Sequence, residues 1–297
     1  GTPLYCSGMK FGLFAINYGT CADPDTAVKI AQYAESAGFE SVWTGEHVVL
    51  PDPQPSGFAL PPTLPMLDST VALTLVAAHT TTIKVASGII VLPLRNPVIL
   101  AKELASVDVV AKGRLIVGVG AGYVAEEFAA TGVPMTNRGE RMDDYIRALR
   151  ALWSMKHPQH NGPFVSFAGV NAYPRPIQLP GPLIVVGGAS SGALRRAITM
   201  ADGWYGFNVD LPLARQCVEA LHQMASQHER PAELDRLELT MTPTGKFDRT
   251  VVEQYEELGV DRLVFLPQPD ADHEHRHTPV PAERIIRNID LIASMLI

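Results

Sequence analysis

Short apolar runs alternate with amphipathic segments along most of this chain. Residues 11–16 are continuously apolar, which is typical of a strand buried on both faces. In residues 25–37, small and apolar side chains recur at helical spacing, at Ala27, Ile30, Ala31 and Ala34. Gly38 follows at the place where a helix is expected to end. The two patterns together predict a strand followed by a helix.

This strand–helix unit repeats to the end of the chain. The predicted strands are residues 11–16, 41–44, 84–91, 115–119, 183–186, 203–207, 237–242 and 262–266. The predicted helices are residues 25–37, 67–79, 98–111, 138–153, 191–201, 214–228, 250–258 and 282–296. Eight strands, each followed by a helix, predict a (β/α)8 TIM barrel, because right-handed crossovers can close such a series of parallel strands. A doubly wound open sheet is the alternative, but Tyr123 stands where a dinucleotide fingerprint has its third glycine.

Two segments interrupt the alternation. Residues 51–65 form a proline-rich stretch after the second strand, and residues 156–182 form a proline-rich excursion before the fifth. A long loop of this kind is often a lid over a functional site, and a surface segment without a ligand role is the alternative. We expect one domain over residues 9–297, with residues 1–8 as an N-terminal extension that is either native or left by cloning.

The composition argues against several classes of protein. Of the 297 residues, 46% are hydrophobic and 19% are charged, which predicts a large buried core. The formal net charge is -7 and no basic run is present, so no nucleic-acid partner is expected. Apolar runs fall short of the roughly 20 residues that a membrane-spanning helix requires, so no membrane association is expected. Three scattered cysteines and the lack of a secretory signal predict a cytoplasmic protein with free thiols.

TIM barrels place their active sites at the carboxyl ends of the strands, and two predicted strands carry notable polar residues there. Glu46 and His47 follow the second strand and form the best candidate catalytic pair, because an imidazole can donate or accept a proton near neutral pH. A structural hydrogen bond is the alternative role for this histidine. Ser87 and Gly88 lie at the end of the third strand, where a bulge would bring backbone groups into contact with a ligand.

The glycine- and serine-rich turn at residues 187–192 is the strongest local signal. It joins the fifth strand to a helix, so its free N–H groups and the positive helix end favour an anionic phosphate. Ser190 and Ser191 would add hydroxyl donors, and a tight turn with a serine N-cap is the alternative. Arg95 is expected to contact an anion or to pair with a neighbouring carboxylate. Residues 272–277 alternate His with charged residues like a metal tract, but we expect a solvated loop and no metal site.

A series of short motifs resembles the luciferase-like monooxygenase superfamily, and in particular its coenzyme F420-dependent branch, which is common in actinobacteria. The motifs are residues 11–14 (FGLF), 37–43 (AGFESVW), 45–47 (GEH), 92–97 (LPLRNP), 113–120 (GRLIVGVG), 138–142 (RGERM), 187–190 (GGAS) and 201–204 (ADGW). Their order and spacing make the resemblance specific between Phe11 and Trp204, whereas the rest of the barrel is less distinctive.

The resemblance implies a flavin or deazaflavin ring across the barrel mouth, with its phosphate at the turn 187–191 and the loop 120–123. When the end of the third strand is included, the expected cofactor-binding residues are Ser87, Gly88, Gly120, Ala121, Gly122, Tyr123, Gly187, Gly188, Ala189, Ser190 and Ser191. The resemblance also implies a non-proline cis peptide on one side of Gly88, and contacts of Glu46 and His47 with cofactor or substrate. Glu46 stands where aspartate is common in some relatives. The basic segment 138–141 and Lys246 would meet the acidic tail of F420.

We therefore expect an oxidoreductase that uses coenzyme F420 for hydride transfer to or from a small organic substrate. An FMN-dependent monooxygenase is the first alternative, and it would insert one oxygen atom into its substrate. A non-catalytic deazaflavin-binding protein is the second alternative, and it would need no catalytic histidine. Phe58 and Leu60, in the loop 51–65, are expected to form an apolar part of the substrate pocket. The resemblance further implies a homodimer.

Overall fold

A closed barrel of eight parallel strands forms the centre of the molecule. The computed structural model describes residues 8–245, 247–267 and 279–294. The barrel strands are β1 (Lys10–Leu13), β2 (Ser41–Thr44), β3 (Lys84–Ser87), β4 (Leu115–Gly120), β5 (Leu183–Gly187), β6 (Gly203–Val209), β7 (Glu238–Pro243) and β8 (Arg262–Phe265). Neighbouring strands follow the chain order, and β8 pairs with β1, so the cylinder closes. The predicted (β/α)8 barrel is confirmed.

Helices surround the barrel. They are α1 (Pro24–Ser36), α2 (Ser69–His79), α3 (Pro97–Val110), α4 (Ala125–Thr131), α5 (Arg138–Ser154), α6 (Ser191–Met200), α7 (Leu211–Gln227), α8 (Arg249–Glu257) and α9 (Ala282–Ala293). The sequence did not predict α4, because its seven residues are too few to show a periodic apolar face. The other helices begin and end close to the predicted residues.

The burial of individual elements explains why the sequence forms them. All six residues of β4 are buried, as expected for a parallel strand covered on both faces. The buried residues of α1 are the predicted ones, Ala27, Ile30, Ala31 and Ala34. Asp23 caps this helix by accepting a hydrogen bond from the backbone N–H of Thr26 at 2.9 Å, and Pro24 occupies its first position.

The third barrel strand departs from prediction. A continuous strand over residues 84–91 was expected, but β3 ends at Ser87 and pairing with β4 resumes only at Ile90–Val91. Between them the chain bulges, and the Gly88–Ile89 peptide bond is cis. The resemblance predicted a non-proline cis peptide at this step, and the structure confirms it.

The excursion before β5 carries a two-stranded hairpin. His160–Asn161 pairs antiparallel with Ser166–Phe167. Asp144 on α5 holds this hairpin, because its carboxylate accepts hydrogen bonds from the backbone N–H groups of Phe164 and Val165 at 2.9 and 3.1 Å. The hairpin therefore packs against α5.

A buried charge cluster fills the amino end of the barrel. The side chain of Arg262, on β8, is 0% exposed. Its guanidinium donates to Glu40 at 2.8 and 3.1 Å, to the hydroxyl of Thr240 at 2.9 Å, and to Glu238. It also lies over the ring of Trp43, with 5.7 Å between the guanidinium carbon and the ring centroid. Because this end is packed, the space for a ligand lies at the opposite, carboxyl end.

Candidate active site

A cavity of about 590 Å³ opens at the carboxyl ends of the strands. This volume lies within the range of pockets for small molecules and cofactors. The predicted site residues that line it are Glu46, His47, Gly88, Gly120, Ala121, Gly122, Tyr123, Gly187, Gly188, Ala189 and Ser190. The structure therefore brings together residues from the ends of β2, β3, β4 and β5. Their contact with a cofactor remains a prediction.

Two predicted residues, Ser87 and Ser191, do not line the cavity. The hydroxyl of Ser87 donates to the carbonyl oxygen of Gly118 at 2.9 Å and accepts from its backbone N–H at 2.9 Å. Ser87 therefore joins β3 to β4, and its polar group is occupied within the barrel wall. Ser191 is the exposed first residue of α6. We therefore correct the prediction that the Ser87 hydroxyl contacts a cofactor, whereas contact of Ser191 with a cofactor stays a prediction.

The glycines of β4 make room for the bulge at Gly88 and Ile89. A Cβ atom at Gly120 would lie 1.8 Å from Cδ1 of Ile89, and one at Gly118 would lie 1.9 Å from the carbonyl oxygen of Ser87. Only glycine allows the bulge to lie this close to β4. The shape of the cavity at Gly120 therefore depends on the packing of Ile89 against β4.

His47 is held by a carboxylate that the sequence analysis did not identify. Its Nδ1 lies 3.1 Å from Oε2 of Glu127, in the first turn of α4. Oε1 of Glu127 accepts a hydrogen bond from the backbone N–H of Val48 at 2.7 Å. The side chain of Glu127 is 1% exposed. The acidic pair Glu126 and Glu127 before Phe128 is a helix-start signal that could have pointed to this residue.

Glu46 lies beside His47 at the end of β2, but the two side chains have different partners. Its carboxylate instead forms an ion pair with Arg95 and accepts a hydrogen bond from the backbone N–H of Val91 at 2.6 Å. Arg95 also contacts Asp68 at 2.5 Å. Burial raises the pKa of the Glu46 carboxyl, and the adjacent Arg95 guanidinium opposes that rise. Of the two roles expected for Arg95, the structure therefore shows pairing with a carboxylate.

Aromatic side chains form one side of the cavity. The rings of Phe14 and Phe207 lie 5.0 Å apart between centroids, and Phe14 also contacts Tyr18 at 6.1 Å. The ring of Phe58 meets the imidazole of His47 edge-on at 5.7 Å. Leu60 lies in the same wall. The predicted loop 51–65 therefore contributes Phe58 and Leu60 to the cavity, as expected.

The other side of the cavity carries positive charge. Ser190 caps α6 by accepting a hydrogen bond from the backbone N–H of Ala193 at 3.2 Å, while Gly188 adopts a left-handed φ of 109°. Arg196, one turn further along α6, lines the cavity and pairs with Asp143. Arg138 lines it too, and its Nε donates to the carbonyl oxygen of Gly122 at 3.1 Å. A helix N-terminus with two guanidinium groups is suited to bind a phosphate.

Two further predictions concern the basic segment and the histidine tract. Arg138 is directed to the cavity, but the guanidinium of Arg141 lies over the ring of Phe164, with 4.4 Å to the centroid. Lys246 and residues 272–277 lie outside the described residues. Within residues 8–245, 247–267 and 279–294, no group of three or more His, Cys, Asp or Glu residues could hold a metal ion. In the same residues, no helix combines the length and apolar character needed to cross a bilayer.

Comparisons with known proteins agree with this geometry. The sequence profile of the family described as luciferase-like monooxygenase matches residues 9–277. An uncharacterised protein of Mycobacterium tuberculosis is 29% identical over 275 residues, which cover 89% of this chain and 94% of that protein. The FMNH2-dependent dimethylsulfone monooxygenase of Pseudomonas putida is 32% identical over 196 residues, which cover 65% of this chain and 51% of that protein.

A solved structure extends the comparison to a deazaflavin enzyme. The coenzyme F420-dependent tetrahydromethanopterin reductase of Methanopyrus kandleri superposes with a TM-score of 0.71 at 15% identity, and the match covers 95% of this chain and 99% of that one. At this identity the superposition shows a shared fold. The profile match, in contrast, extends over most of the sequence. This chain belongs to the luciferase-like monooxygenase family.

Proposed function

We propose that this protein is an oxidoreductase that uses coenzyme F420 to transfer hydride to or from a small organic substrate. The observation that carries the proposal is the pairing of His47 with the buried carboxylate of Glu127 at the cavity wall. Nδ1 of His47 is bound to Glu127, and among the described residues Nε2 has no hydrogen-bond partner. Nε2 is therefore available to a ligand in the cavity.

The carboxylate determines where the imidazole carries its proton. An ionised carboxylate only accepts hydrogen bonds, so Nδ1 of His47 donates to Glu127. Nε2 then accepts a proton in the neutral ring and donates one in the imidazolium. Reduction of a carbonyl requires a proton for the oxygen, and oxidation of an alcohol requires an acceptor for the hydroxyl proton. Nε2 serves in both directions.

The residues around the cavity fit a phosphorylated ring cofactor. Arg138, Arg196 and the N-terminus of α6 supply N–H donors and positive charge for the phosphate. The bulge at Gly88 and Ile89 and the rings of Phe14 and Phe207 border the space for a flat ring. A bound deazaflavin would supply or accept the hydride there. The protein's own part is to hold the phosphate, flank the ring and move the proton through His47.

An FMN-dependent monooxygenase is a second candidate, and the name of the Pseudomonas putida relative favours it. The F420 proposal is supported by the motif resemblance and by the name of the Methanopyrus kandleri reductase. The proton-transfer geometry at His47 suits hydride chemistry directly. A direct comparison of the two cofactors is therefore the first test.

We would titrate the purified protein with coenzyme F420 and, separately, with FMN, and follow the quenching of tryptophan fluorescence. The proposal expects saturable F420 binding that is tighter than FMN binding. Tight FMN binding without F420 binding would overturn the cofactor assignment in favour of the monooxygenase.

His47→Ala distinguishes an enzyme from a protein that only binds the cofactor. The expected result is unchanged F420 affinity with loss of turnover, because the proton carrier is gone. His79→Ala is the matched control, since His79 is exposed on α2 and its Nδ1 bonds the carbonyl oxygen of Leu75 at 2.8 Å. If the wild-type protein binds F420 but turns over none of a broad panel of substrates, the binding-protein alternative is correct.

A further inference from the structure

Asn208, near the end of β6, differs from most polar residues that line the cavity. Glu46 and Glu127 are hydrogen-bonded to protein groups, and so is the hydroxyl of Tyr205. Oδ1 of Asn208 is buried but has no hydrogen-bond partner among the described residues, and its Nδ2 has none there either. Because an unsatisfied buried amide costs free energy, this side chain does not stabilise the fold through polar contacts.

The backbone of Asn208 explains only part of its presence. Its φ of 57° lies in the left-handed region, where asparagine is tolerated better than most residues other than glycine. Glycine would adopt the same φ and would leave no amide unsatisfied. A side chain that costs the free protein stability at a cavity wall is explained when a ligand supplies the missing hydrogen bonds.

Asn208 lies across the barrel mouth from His47. His47 follows β2 and Asn208 belongs to β6, and in the closed cylinder of eight strands these two strands are four apart in either direction. Both residues line the same cavity. The ring of Phe207, next to Asn208, packs against Phe14 with 5.0 Å between centroids. We therefore expect a flat ligand that meets His47 at one edge to meet Asn208 at the opposite edge.

The chemistry of a carboxamide indicates what that edge must carry. The group offers N–H donors beside a carbonyl acceptor, and without a hydrogen bond to fix it the amide of Asn208 can turn either end toward the cavity. A carboxylate has no donor for its carbonyl oxygen, and an ammonium group has no acceptor for its N–H. A planar N–H beside a C=O, as in a lactam or a cyclic imide, satisfies both ends through two parallel hydrogen bonds.

We propose that Asn208 is a ligand-binding residue that pairs with the lactam or imide edge of a molecule in the cavity. The inference rests on the proposed function for its cavity, but it uses neither the hydride chemistry nor the choice between F420 and FMN. The pyrimidinedione ring of a flavin or deazaflavin has such an edge. A substrate that carries a lactam is the other source of the same chemistry, and the two sources are separated by experiment.

The cofactor edge is tested with riboflavin and with the ring and ribityl part of F420, each with its imide N–H either intact or methylated. Fluorescence titration would give the Kd of each compound for wild type and for Asn208→Gly. Methylation should raise the wild-type Kd at least about tenfold, because it removes the donor and blocks the edge. Asn208→Gly should raise the Kd of the unmethylated rings by a similar factor. Methylation should then matter little, since both changes remove the same pair of bonds.

The substrate edge is tested with carbostyril, a flat bicyclic lactam, and with its N-methyl derivative. Isothermal titration calorimetry would measure the binding of both to the free protein and to protein loaded with F420 or FMN. If Asn208 pairs with a substrate, cofactor-loaded wild type should prefer the lactam over its N-methyl derivative at least about tenfold, and Asn208→Gly should abolish this preference. If Asn208 pairs with the cofactor, the N–H preference is confined to the cofactor rings.

Asn137→Gly is the matched control. Asn137 also has a left-handed φ, of 60°, but its side chain is exposed and does not line the cavity. Its Kd values and N–H preference should equal those of wild type. Urea denaturation checks the fold of both variants, and Asn208→Gly should be at least as stable as wild type, because glycine suits the φ and leaves no amide unsatisfied. A marked loss of stability in Asn208→Gly would show that the carboxamide is structural.

An N–H preference that disappears in Asn208→Gly supports the inference, and the compound that shows it identifies the source. The absence of such a preference for all these compounds would overturn the inference, as would a preference that persists in Asn208→Gly. The cofactor assignment has a separate outcome. If riboflavin binds and the F420 ring does not, the proposed function fails, while the two forms of riboflavin still test Asn208.

Discussion

Glu127 lies 3.1 Å from Nδ1 of His47, although 80 residues separate the two in the sequence. The contact exists because the turn after β2 and the first turn of α4 meet at the same edge of the barrel. The carboxylate of Glu127 is engaged by Nδ1 of His47 and by the backbone N–H of Val48. It acts through the imidazole, so we regard it as a positioning residue for the proton carrier.

Replacing Glu127 by Gln tests this role. The amide oxygen can still accept the hydrogen bond from the backbone N–H of Val48, so the fold should be preserved. Loss of the carboxylate removes the acceptor that fixes the tautomer of His47, and we expect kcat to fall by about 10- to 100-fold with little change in cofactor affinity. KM for the substrate should change little, because Glu127 acts on the imidazole.

The control for this change is Glu126→Gln, which alters the exposed neighbour in the same turn. Its kcat and KM should match those of wild type. Glu127→Asp should restore part of the activity, because it restores the charge. If Glu127→Asp restored no activity, or if kcat and KM changed together in Glu127→Gln, the residue would be only structural.

The close packing of Ile89 against β4 predicts that no side chain larger than that of glycine fits at position 120. Gly120→Ala would place a Cβ atom 1.8 Å from Cδ1 of Ile89, so the free energy of unfolding should fall by about 1–3 kcal/mol. Ile89→Val removes the clashing methyl group. The double variant should therefore recover most of the lost stability, which urea denaturation of the four proteins would measure as a coupling energy. Simply additive losses would contradict the proposed packing.

The sequence predicted the barrel well because its signal is local and repeated. A run such as residues 115–119 shows its burial in its own composition, and the face of α1 shows helical spacing. His47 was identified for the same reason, since a strand end is visible in the sequence. Its partner was not, because Glu127 lies on a short unpredicted helix and meets His47 only through the closure of the barrel.

The contacts that the sequence missed share this physical origin. Glu46 was identified at the end of β2, but its partner Arg95, which is 49 residues away, was not identified as such. Ser87 was assigned to the cofactor, but its hydroxyl bonds Gly118 on the neighbouring strand. Side-chain partners set by strand pairing are not encoded in any short segment of sequence. Positions at the ends of strands are encoded in short segments, and they predicted most of the residues that line the cavity.

The position of the Arg138 side chain predicts that it helps to bind the cofactor phosphate. Its side chain lines the cavity and is anchored by the carbonyl oxygens of Gly122 and Met135 at 3.1 and 3.4 Å. Arg138→Gln removes one positive charge from the phosphate site, and we expect the Kd for the cofactor to rise by about 10- to 100-fold, as for loss of a charge-assisted hydrogen bond. Fluorescence titration would measure it.

Arg147→Gln is the matched control for that change, since Arg147 is exposed on the same helix, α5. Its Kd should equal that of wild type. The wild-type Kd should also rise with salt more steeply than that of Arg138→Gln, because screening weakens a charge that the variant lacks. Equal Kd values for Arg138→Gln and wild type would place the phosphate elsewhere.

The charge cluster at the amino end of the barrel predicts how stability depends on pH. Burial alone would raise the pKa of Glu40, but Arg262 and Lys84 outweigh this effect and hold the pKa at about 2. A carboxyl whose pKa is lowered by folding stabilises the folded state above its unfolded pKa, and this contribution disappears as the pH falls through the folded pKa. For Glu40 that window extends from about pH 4.5 down to about pH 2.

Glu40→Gln should therefore lower the free energy of unfolding at pH 7 by on the order of 3 kcal/mol, because Arg262 loses its anionic partner. The difference from wild type should shrink as the pH falls from about 4.5 toward 2, where the wild-type carboxyl also becomes neutral. Urea denaturation at a series of pH values measures this difference. Glu253→Gln, at a side chain that is 57% exposed, should show no such loss at any pH. A difference between Glu40→Gln and wild type that stays constant with pH would mean that Glu40 stabilises the barrel by its shape and not by its charge.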